Sequence, residues 1–250
     1  MDRMVYIAMS GAKEVMLAQA NNANNLANAT TDGFKKDFNQ FRAMHVQGPG
    51  WHDRAYALDE RPATDFSQGP VKVTGRDLDI VVPNGFLAIQ APDGTEAYTR
   101  TASMNVLEDG SLVDVKGNPI LNITGAPIFL PPYRKIDIGD DGTISIVPAD
   151  APNNNPVVVD QLRLVAPAVE DLQKGLDGFI RLKPEALQGE EALVQQDLKV
   201  IKGALEGSNV NAAASLVEML ALSRKYELQV KMMKTSKEHS DASDKLLRLS

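Results

Sequence analysis

Three histidines, His45, His52 and His239, are the side chains best suited to proton transfer in this 250-residue sequence. His52 precedes Asp53, and such a pair could form part of a catalytic or metal site. No cysteine accompanies them, and no second histidine lies at the short spacing that zinc sites use. We therefore interpret His52 and Asp53 as part of a surface loop.

The acidic stretch at 137–142, Asp-Ile-Gly-Asp-Asp-Gly, hints at a calcium loop. An EF-hand loop needs an acidic or amide ligand at its third position and a bidentate glutamate at its twelfth. Gly139 and Pro148 occupy those positions, so we predict a hairpin around Asp141-Gly142 instead. Phosphate-binding glycine loops, nucleophile elbows and metalloprotease motifs are also missing from the sequence. We predict that the protein is not an enzyme and uses no cofactor or metal.

Composition narrows the function classes further. A hydrophobic content of 43% and a charged content of 24% are ordinary for a globular protein. The net charge of −7, without any cluster of Lys and Arg, argues against nucleic-acid binding. No apolar run approaches the ~20 residues of a membrane span, and we expect no cleaved signal peptide. The absence of Cys fits either the cytosol or a protein exported unfolded.

Both ends of the sequence have the periodicity of amphipathic helices. We predict one helix over 4–28 and another from Val210, with Ser208 and Asn209 at its N-cap. The periodic positions are Val5, Met9, Ala12, Met16, Gln19, Ala23 and Leu26, then Leu216, Met219, Ser223, Tyr226, Val230 and Met233. Alternate spacings of three and four are those of a coiled-coil seam, although an isolated helix of this kind would be marginal.

The sequence between the helices is typical of β-strands and turns. Strand-like runs occur at 71–74, 79–82, 86–90, 97–100, 104–107, 112–115, 136–138, 144–147 and 157–165. Asp-Gly and Asn-Gly pairs between them favour antiparallel hairpins, and a last strand over 195–201 leads back to the second helix. We predict a mixed fold, in which the terminal helices pair as a coiled-coil-like stalk and the centre is an all-β, antiparallel, turn-rich body.

These elements predict three kinds of region. Residues 1–34 and 208–250 are the terminal helical assembly region, 35–65 and 190–207 are extended linkers, and 66–189 are the central β domain. Gly33 ends the first helical region in a turn where positive φ is needed. A stalk of only two helices would leave much apolar surface exposed to water, which indicates a partner.

Three motifs resemble the bacterial flagellar rod and hook proteins. The first, at 24–35, is Asn-Asn-Leu-Ala-Asn-Ala-Thr-Thr-Asp-Gly-Phe-Lys, and the second, at 205–211, is Leu-Glu-Gly-Ser-Asn-Val-Asn. The third is central, with Gly-Arg-Asp-Leu-Asp-Ile at 75–80 and Asp-Gly-Ser-Leu-Val at 109–113. The motifs follow the family's order and together span nearly the whole chain, so the resemblance is specific.

The resemblance implies a structural subunit of the flagellar basal-body rod, which spans the periplasm. Such a subunit is exported by the flagellar type III apparatus, polymerises below the rod cap and contacts other rod subunits, with no nucleic acid or small-molecule substrate. The length excludes the longer hook proteins and the small rod subunits that lack a central β domain, and the opening residues, including Tyr6 and Met9, resemble those of the remaining proximal-rod type. A distal-rod subunit and, more remotely, a self-contained periplasmic binding module are the alternatives.

The stripes and motifs together predict the residues that act in assembly. They are Val5, Met9, Ala12, Met16, Asn25, Leu26, Asn28, Gly33, Phe34, Ser208, Asn209, Val210, Leu216, Met219, Tyr226, Val230 and Met233.

Overall fold

The computed structural model describes residues 3–45, 55–150, 155–175, 177–184, 186 and 197–247. The chain divides into two compact units. The helical unit consists of Met1–Thr30, Lys35–Asp65 and Val210–Ser250, and the β unit consists of Thr31–Phe34 and Phe66–Asn209. Because the segments alternate, the chain passes from one unit to the other four times.

Two helices, α1 (Arg3–Ala27) and α2 (Ala212–Leu247), dominate the helical unit. The first helix agrees with the prediction to within one residue at each end. Its many Ala, Met, Leu and Gln residues favour helical structure. The second helix starts two residues later than predicted because Asn211 caps it. The backbone N–H of Ala214 donates to Oδ1 of Asn211 at 3.1 Å, which is the bond expected of an N-cap.

The predicted N-cap residues, Ser208 and Asn209, instead belong to the β unit. Ser208 is buried there. The side-chain amide of Asn209 donates to the carbonyl and hydroxyl oxygens of Ser67, each at 3.3 Å. The prediction of the cap was therefore wrong by two to three residues, since three polar residues within four positions, Ser208, Asn209 and Asn211, all suit a cap.

Residues 35–65, predicted as an extended linker, contain an antiparallel hairpin of two long strands. These are β1 (Asp37–His45) and β2 (Ala55–Thr64), with a bulge between Phe38 and Gln40. The first strand has no β-branched residue, and the second has only Thr64 and includes a proline. Strand propensity is carried mainly by β-branched and aromatic residues, so the sequence signal here was weak.

The β unit contains fourteen further strands among its described residues, and every pairing is antiparallel. They are β3 (Val71–Val73), β4 (Asp79–Val81), β5 (Phe86–Gln90), β6 (Glu96–Thr99), β7 (Thr101–Val106), β8 (Leu112–Asp114), β9 (Tyr133–Ile138), β10 (Thr143–Pro148), β11 (Val157–Gln161), β12 (Leu164–Val165), β13 (Leu172–Lys174), β14 (Ile180–Leu182), β15 (Ile201–Lys202) and β16 (Ala204–Glu206). A short 3₁₀ helix, Val169–Asp171, precedes β13.

The strands form sheets ordered β12-β5-β6-β14-β13, β15-β4-β7-β8, β11-β10-β9 and β16-β3. Each of the nine predicted runs overlaps a strand, and the run 157–165 is divided between β11 and β12. The expected strand over 195–201 is shorter: residues 197–200 are not in a strand, and 195–196 lie outside the described residues. The three-residue strands β13, β14 and β16 were not predicted.

Large aliphatic side chains form the core of the β unit. Those with almost no exposed surface include Ile80, Leu87, Met104, Leu112, Ile120, Ile128, Ile138 and Ile144. A second cluster surrounds Phe86 and Tyr98. Full burial of one such side chain contributes about 1.5–3 kcal/mol, so these clusters are the main source of the unit's stability.

Six turns of the β unit share one local structure. In each, an Asp or Asn side chain accepts a hydrogen bond from the backbone N–H two residues later, at 2.7–3.1 Å. The turns begin at Asp93, Asp109, Asp114, Asn122, Asp141 and Asp177, and each contains a glycine with φ between 81° and 85°. Such Asx turns explain why the predicted hairpin positions were accurate.

No described helix is both long and apolar enough to cross a membrane.

Candidate functional site

Small and polar residues form the buried face of α1. The buried positions are Ala8, Ala12, Glu14, Ala18, Asn22 and Asn25. Most neighbouring positions in this set are three or four residues apart, which is about one helical turn, so they lie along one side of the helix. Side chains this small let another backbone approach closely.

The least exposed face of α2 is also rich in small or polar residues. It comprises Ser215, Met219, Leu222, Tyr226, Gln229, Met233 and Ser236, at alternate spacings of four and three. Three members, Met219, Tyr226 and Met233, were on the predicted stripe. The spacing is that of a heptad repeat.

The two helices contact each other through these faces and run antiparallel. The side-chain amide of Asn22 donates to the backbone oxygen of Ser215 at 2.7 Å. Further along, a Cβ on Gly11 would lie only 3.0 Å from the side-chain nitrogen of Gln229. Gly11 comes before Asn22 in α1, whereas its partner Gln229 comes after Ser215 in α2, so the two helices run in opposite directions. The close approach at Gly11 means that a larger residue there would displace the Gln229 side chain.

Several residues predicted for the seam lie elsewhere. Met9 and Met16 are 55% and 59% exposed, and Leu216 and Val230 are exposed as well. Ala12 is buried, while Val5, Gln19, Leu26 and Ser223 are half-buried. The prediction followed the largest apolar side chains. Ala12, Met219, Tyr226 and Met233 do lie on the contact faces, but the remaining contact positions are displaced by about one residue from the predicted ones. Met9, Met16, Leu216 and Val230 are left on the outer surface.

Asn25, from the first motif, fixes the place where β1 begins. Its Oδ1 accepts the backbone N–H of Asp37 at 3.0 Å, and its Nδ2 donates to the carbonyl of the same residue at 2.5 Å. A carboxamide that pairs with both backbone groups of one residue makes the same two hydrogen bonds that a neighbouring strand would make. Thr64 completes the arrangement, since its hydroxyl donates to the Asp37 carboxylate at 2.8 Å. Asn28 has a separate role: its Nδ2 donates to the Asn24 carbonyl at the end of α1, at 2.9 Å.

The rest of that motif, Thr31–Phe34, belongs to the β unit. The N–H of Gly33 donates to the Glu206 carbonyl at 2.8 Å, and its φ of 75° is one that side chains rarely adopt. A Cβ there would lie 3.0 Å from the Thr101 methyl group, so both conformation and space require glycine. Lys174 lies 4.1 Å from the centre of the Phe34 ring, a cation–π distance. Gly33 and Phe34 therefore anchor this segment within the β unit.

The histidine and calcium candidates are not supported as sites. His52 and Asp53 lie outside the described residues, and His239 is exposed on α2. Residues 137–142 comprise the end of β9 and the turn to β10, with Gly142 at φ 82°. Asp137 accepts a hydrogen bond from Lys202 at 2.8 Å, which raises the pKa of that lysine. Among the described residues, no group of three or more His, Asp or Glu side chains is placed to hold a metal.

Comparison with known proteins first identifies the class of protein to which the chain is similar. Residues 201–246 match the family model "Flagellar basal body rod FlgEFG protein C-terminal", and residues 81–146 match the model "Flagellar hook protein FlgE/F/G D1 domain". The chain is thus similar to flagellar rod and hook proteins over part of its β unit and most of α2.

Individual relatives narrow the class. The chain is 37% identical to the flagellar basal-body rod protein FlgF of Escherichia coli K12 and 35% identical to FlgF of Salmonella typhimurium LT2, over the full length of each protein. It is 29% identical to the flagellar basal-body rod protein FlgG of Buchnera aphidicola (Schizaphis graminum), covering 86% of this chain and 88% of FlgG. The chain belongs to the flagellar basal-body rod protein family, and the matches to FlgF are the stronger ones.

Members of this family are structural subunits of the flagellar basal body, not enzymes, and they assemble with other rod and hook components. The expectation of a structural protein is therefore confirmed.

Proposed function

We propose that this chain is a proximal-rod subunit that polymerises through its two terminal helices. The supporting observation is the distribution of side chains on α1 and α2. The contact face of α1 consists mainly of small and polar residues, and that of α2 mixes such residues with Met, Leu and Tyr, whereas several large apolar residues on the other faces are more than half exposed. These are Met9, Met16, Leu216, Val217, Leu220 and Leu228. Exposed apolar surface of this extent is typical of an interface, which neighbouring subunits would cover.

The same distribution supports coupled folding and assembly. The α1 side of the contact consists mainly of small and polar side chains, so we expect the pair to be marginally stable until neighbours cover its outer faces. The heptad spacing of the α2 contact face favours coiled-coil-like packing in the assembled rod.

The proposed route follows from the same family. The subunit leaves the cytoplasm unfolded through the flagellar type III apparatus and joins the rod beneath its cap, in the part that crosses the periplasm. The absence of cysteine supports this route, because no disulfide can form during transit. A distal-rod position, as for FlgG, is the alternative, and the lower identity to FlgG disfavours it.

Charged substitutions on the outer helix faces test the proposal. Met16→Glu and Leu220→Glu are expected to leave the circular-dichroism spectrum and the thermal unfolding of the purified chain unchanged, because both side chains are exposed. In cells that depend on this chain, each variant should be absent from isolated basal bodies and should abolish swimming. The matched control is Val115→Glu, the same type of change at an exposed residue of the β unit. Normal incorporation of both helix variants would contradict the proposal.

A hydrogen-exchange comparison tests the coupled folding separately. Amides of α1 and α2 are expected to exchange much faster in the free chain than in isolated basal bodies, while amides of β5 and β7 stay protected in both. Equal protection of the helices in both states would favour the self-contained module and contradict this part of the proposal.

A further inference from the structure

The sequence contains a single Asn-Gly pair, Asn84-Gly85, in the turn that connects β4 with β5. A glycine has no side chain to hinder its backbone nitrogen, so the side chain of a preceding asparagine is easily attacked by that nitrogen. Asn84 is exposed, and the turn and its surroundings all belong to the β unit. The proposed function makes no use of this turn.

The side chain of Asn84 is unrestrained. Among the described residues its carboxamide makes no hydrogen bond. Four Asp-Gly turns of the same unit differ in this respect, because the acidic side chain accepts the backbone N–H two residues later at 3.0–3.1 Å. Those turns begin at Asp93, Asp109, Asp141 and Asp177. The Asn84 side chain can therefore turn its Cγ towards the next backbone nitrogen without breaking a bond.

The backbone nitrogen of Gly85 is also held weakly. Its N–H donates to the Val82 carbonyl at 3.4 Å, which is longer than an ordinary N–H···O bond. The glycine N–H groups of the four Asp-Gly turns donate at 2.9–3.1 Å. Both groups that would react are therefore freer at Asn84-Gly85 than at any of those turns.

We propose that Asn84 is a site of spontaneous deamidation, which converts it to isoaspartate in the folded chain. After loss of its proton, the Gly85 nitrogen attacks Cγ of Asn84 and closes a succinimide ring, while the bond between Cγ and Nδ2 breaks and ammonia leaves with that proton. Water then opens the ring. Cleavage of the new bond gives aspartate, and cleavage at the backbone carbonyl carbon gives isoaspartate, whose main chain runs through Cβ and Cγ. One water is taken up and one ammonia is released, with no oxidation or reduction.

The product does not fit the turn as it stands. Isoaspartate adds one methylene group to the backbone between β4 and β5. A Cβ on Gly85 would already lie 2.8 Å from the Val165 carbonyl oxygen and 2.7 Å from a methyl carbon of Leu198, so the glycine has no space on that side. The longer backbone therefore strains the pairing of Phe86 with Val165, where β5 meets β12.

Peptide mapping of the aged full-length chain tests the reaction. The purified chain is kept folded at physiological temperature and mildly alkaline pH, and its digests are followed by mass spectrometry. The peptide that contains Asn84 is expected to gain about 1 Da, and electron-transfer fragmentation should identify isoaspartate at that position. Peptides that contain Asn105 or Asn122 should not change in the same time, because a β-branched residue follows each of them.

The matched control is Asp109→Asn, which places the same dipeptide in a restrained, exposed turn of the same chain. In the folded protein, position 109 should react roughly tenfold more slowly than Asn84, since the hydrogen bonds of its side chain and of the Gly110 N–H must break first. In urea both turns are unfolded, so the two positions should react at similar rates. Equal rates in the folded chain, or an Asn84 that reacts only in urea, would overturn the inference.

Urea unfolding tests the structural effect. The aged form is separated by its additional negative charge, and its urea midpoint is expected to be lower than that of the unreacted chain. Freshly purified Asn84→Asp carries the same charge without the additional methylene group, and its midpoint should equal that of the unreacted chain. An isoaspartate form that keeps the original midpoint, or an equal loss in Asn84→Asp, would overturn the inferred strain at Gly85. None of these outcomes depends on the proposed function.

Discussion

The two units of this protein use opposite kinds of residue for their internal contacts. In the β unit, wholly buried Ile and Leu side chains hold the sheets together. In the helical unit, α1 contributes mainly Ala, Gly and Asn to the contact with α2, α2 adds Leu222 and half-buried Met and Tyr side chains, and many other large apolar residues are exposed. The difference indicates that the β unit is stable by itself, whereas the helical unit keeps much of its apolar surface for neighbours.

The largest effect should come from a cavity in the β core. Leu112 is wholly buried, so Leu112→Ala is expected to lower the free energy of unfolding by about 2–5 kcal/mol. Urea unfolding followed by circular dichroism in the strand region measures the loss. Val115→Ala, at a position that is 69% exposed one residue beyond the same strand, should change stability by less than about 0.5 kcal/mol. Similar losses for both variants would contradict the assignment of stability to the aliphatic core.

A substitution in the contact between α1 and α2 should destabilise the helical unit and leave the β unit unchanged. Ala8 has no exposed surface, so Ala8→Leu is expected to overpack the contact and destabilise it by about 1–3 kcal/mol. Hydrogen exchange should show faster exchange in α1 and α2 but unchanged protection in the β unit. Ala20→Leu, on the exposed side of the same helix, is the control and should have little effect. If Ala8→Leu leaves exchange in α1 and α2 unchanged, close contact of small residues is not what holds the helices together.

The same contrast explains which features could be predicted from the sequence. Strong β-branched runs with Asp-Gly turns, such as β9 and β10 around Asp141, were located correctly because pattern and turn chemistry agree. The hairpin of β1 and β2 was missed because its few β-branched residues give no strand signal. The helices were predicted, but only part of their contacting faces. Hydrophobic periodicity identified Ala12, Met219, Tyr226 and Met233, which lie on those faces, but it also pointed to Met9 and Met16, which are exposed, and it missed Ala8.

Asn25 links the helices to the hairpin, and its removal should have a local effect. Asn25→Ala removes both hydrogen bonds to the Asp37 backbone and is expected to destabilise the start of β1 by about 1–3 kcal/mol. The Asp37 amide should then exchange at least roughly tenfold faster. Asn24→Ala is the matched control, since its exposed side chain does not bond to Asp37. An unchanged exchange rate at Asp37 would show that the strand begins there without the side chain.

The smallest expected effect shows how far the β unit depends on its turns as well as its core. In the turn at Asp109, the hydroxyl and the backbone N–H of Ser111 donate to the carboxylate, which lowers the pKa of Asp109 below its usual 3.8. A carboxyl group whose pKa is lower in the folded state stabilises the fold above its unfolded pKa. That contribution is lost as the pH falls through the folded value. Stability should therefore decline between about pH 5 and pH 2, the window set by this downward shift.

Asp109→Asn separates the charge from the turn geometry, because the amide keeps an acceptor oxygen for Ser111 but does not ionise. The stability of the variant should be lower than that of the unaltered chain at about pH 6, and the two should converge as the pH approaches about 2. Urea unfolding at several pH values measures this, and carbon-detected NMR follows the Asp109 carboxyl itself. A difference that stays constant with pH would mean that the turn depends on hydrogen-bond geometry alone. The β unit would then resemble the helical unit in relying on uncharged polar contacts.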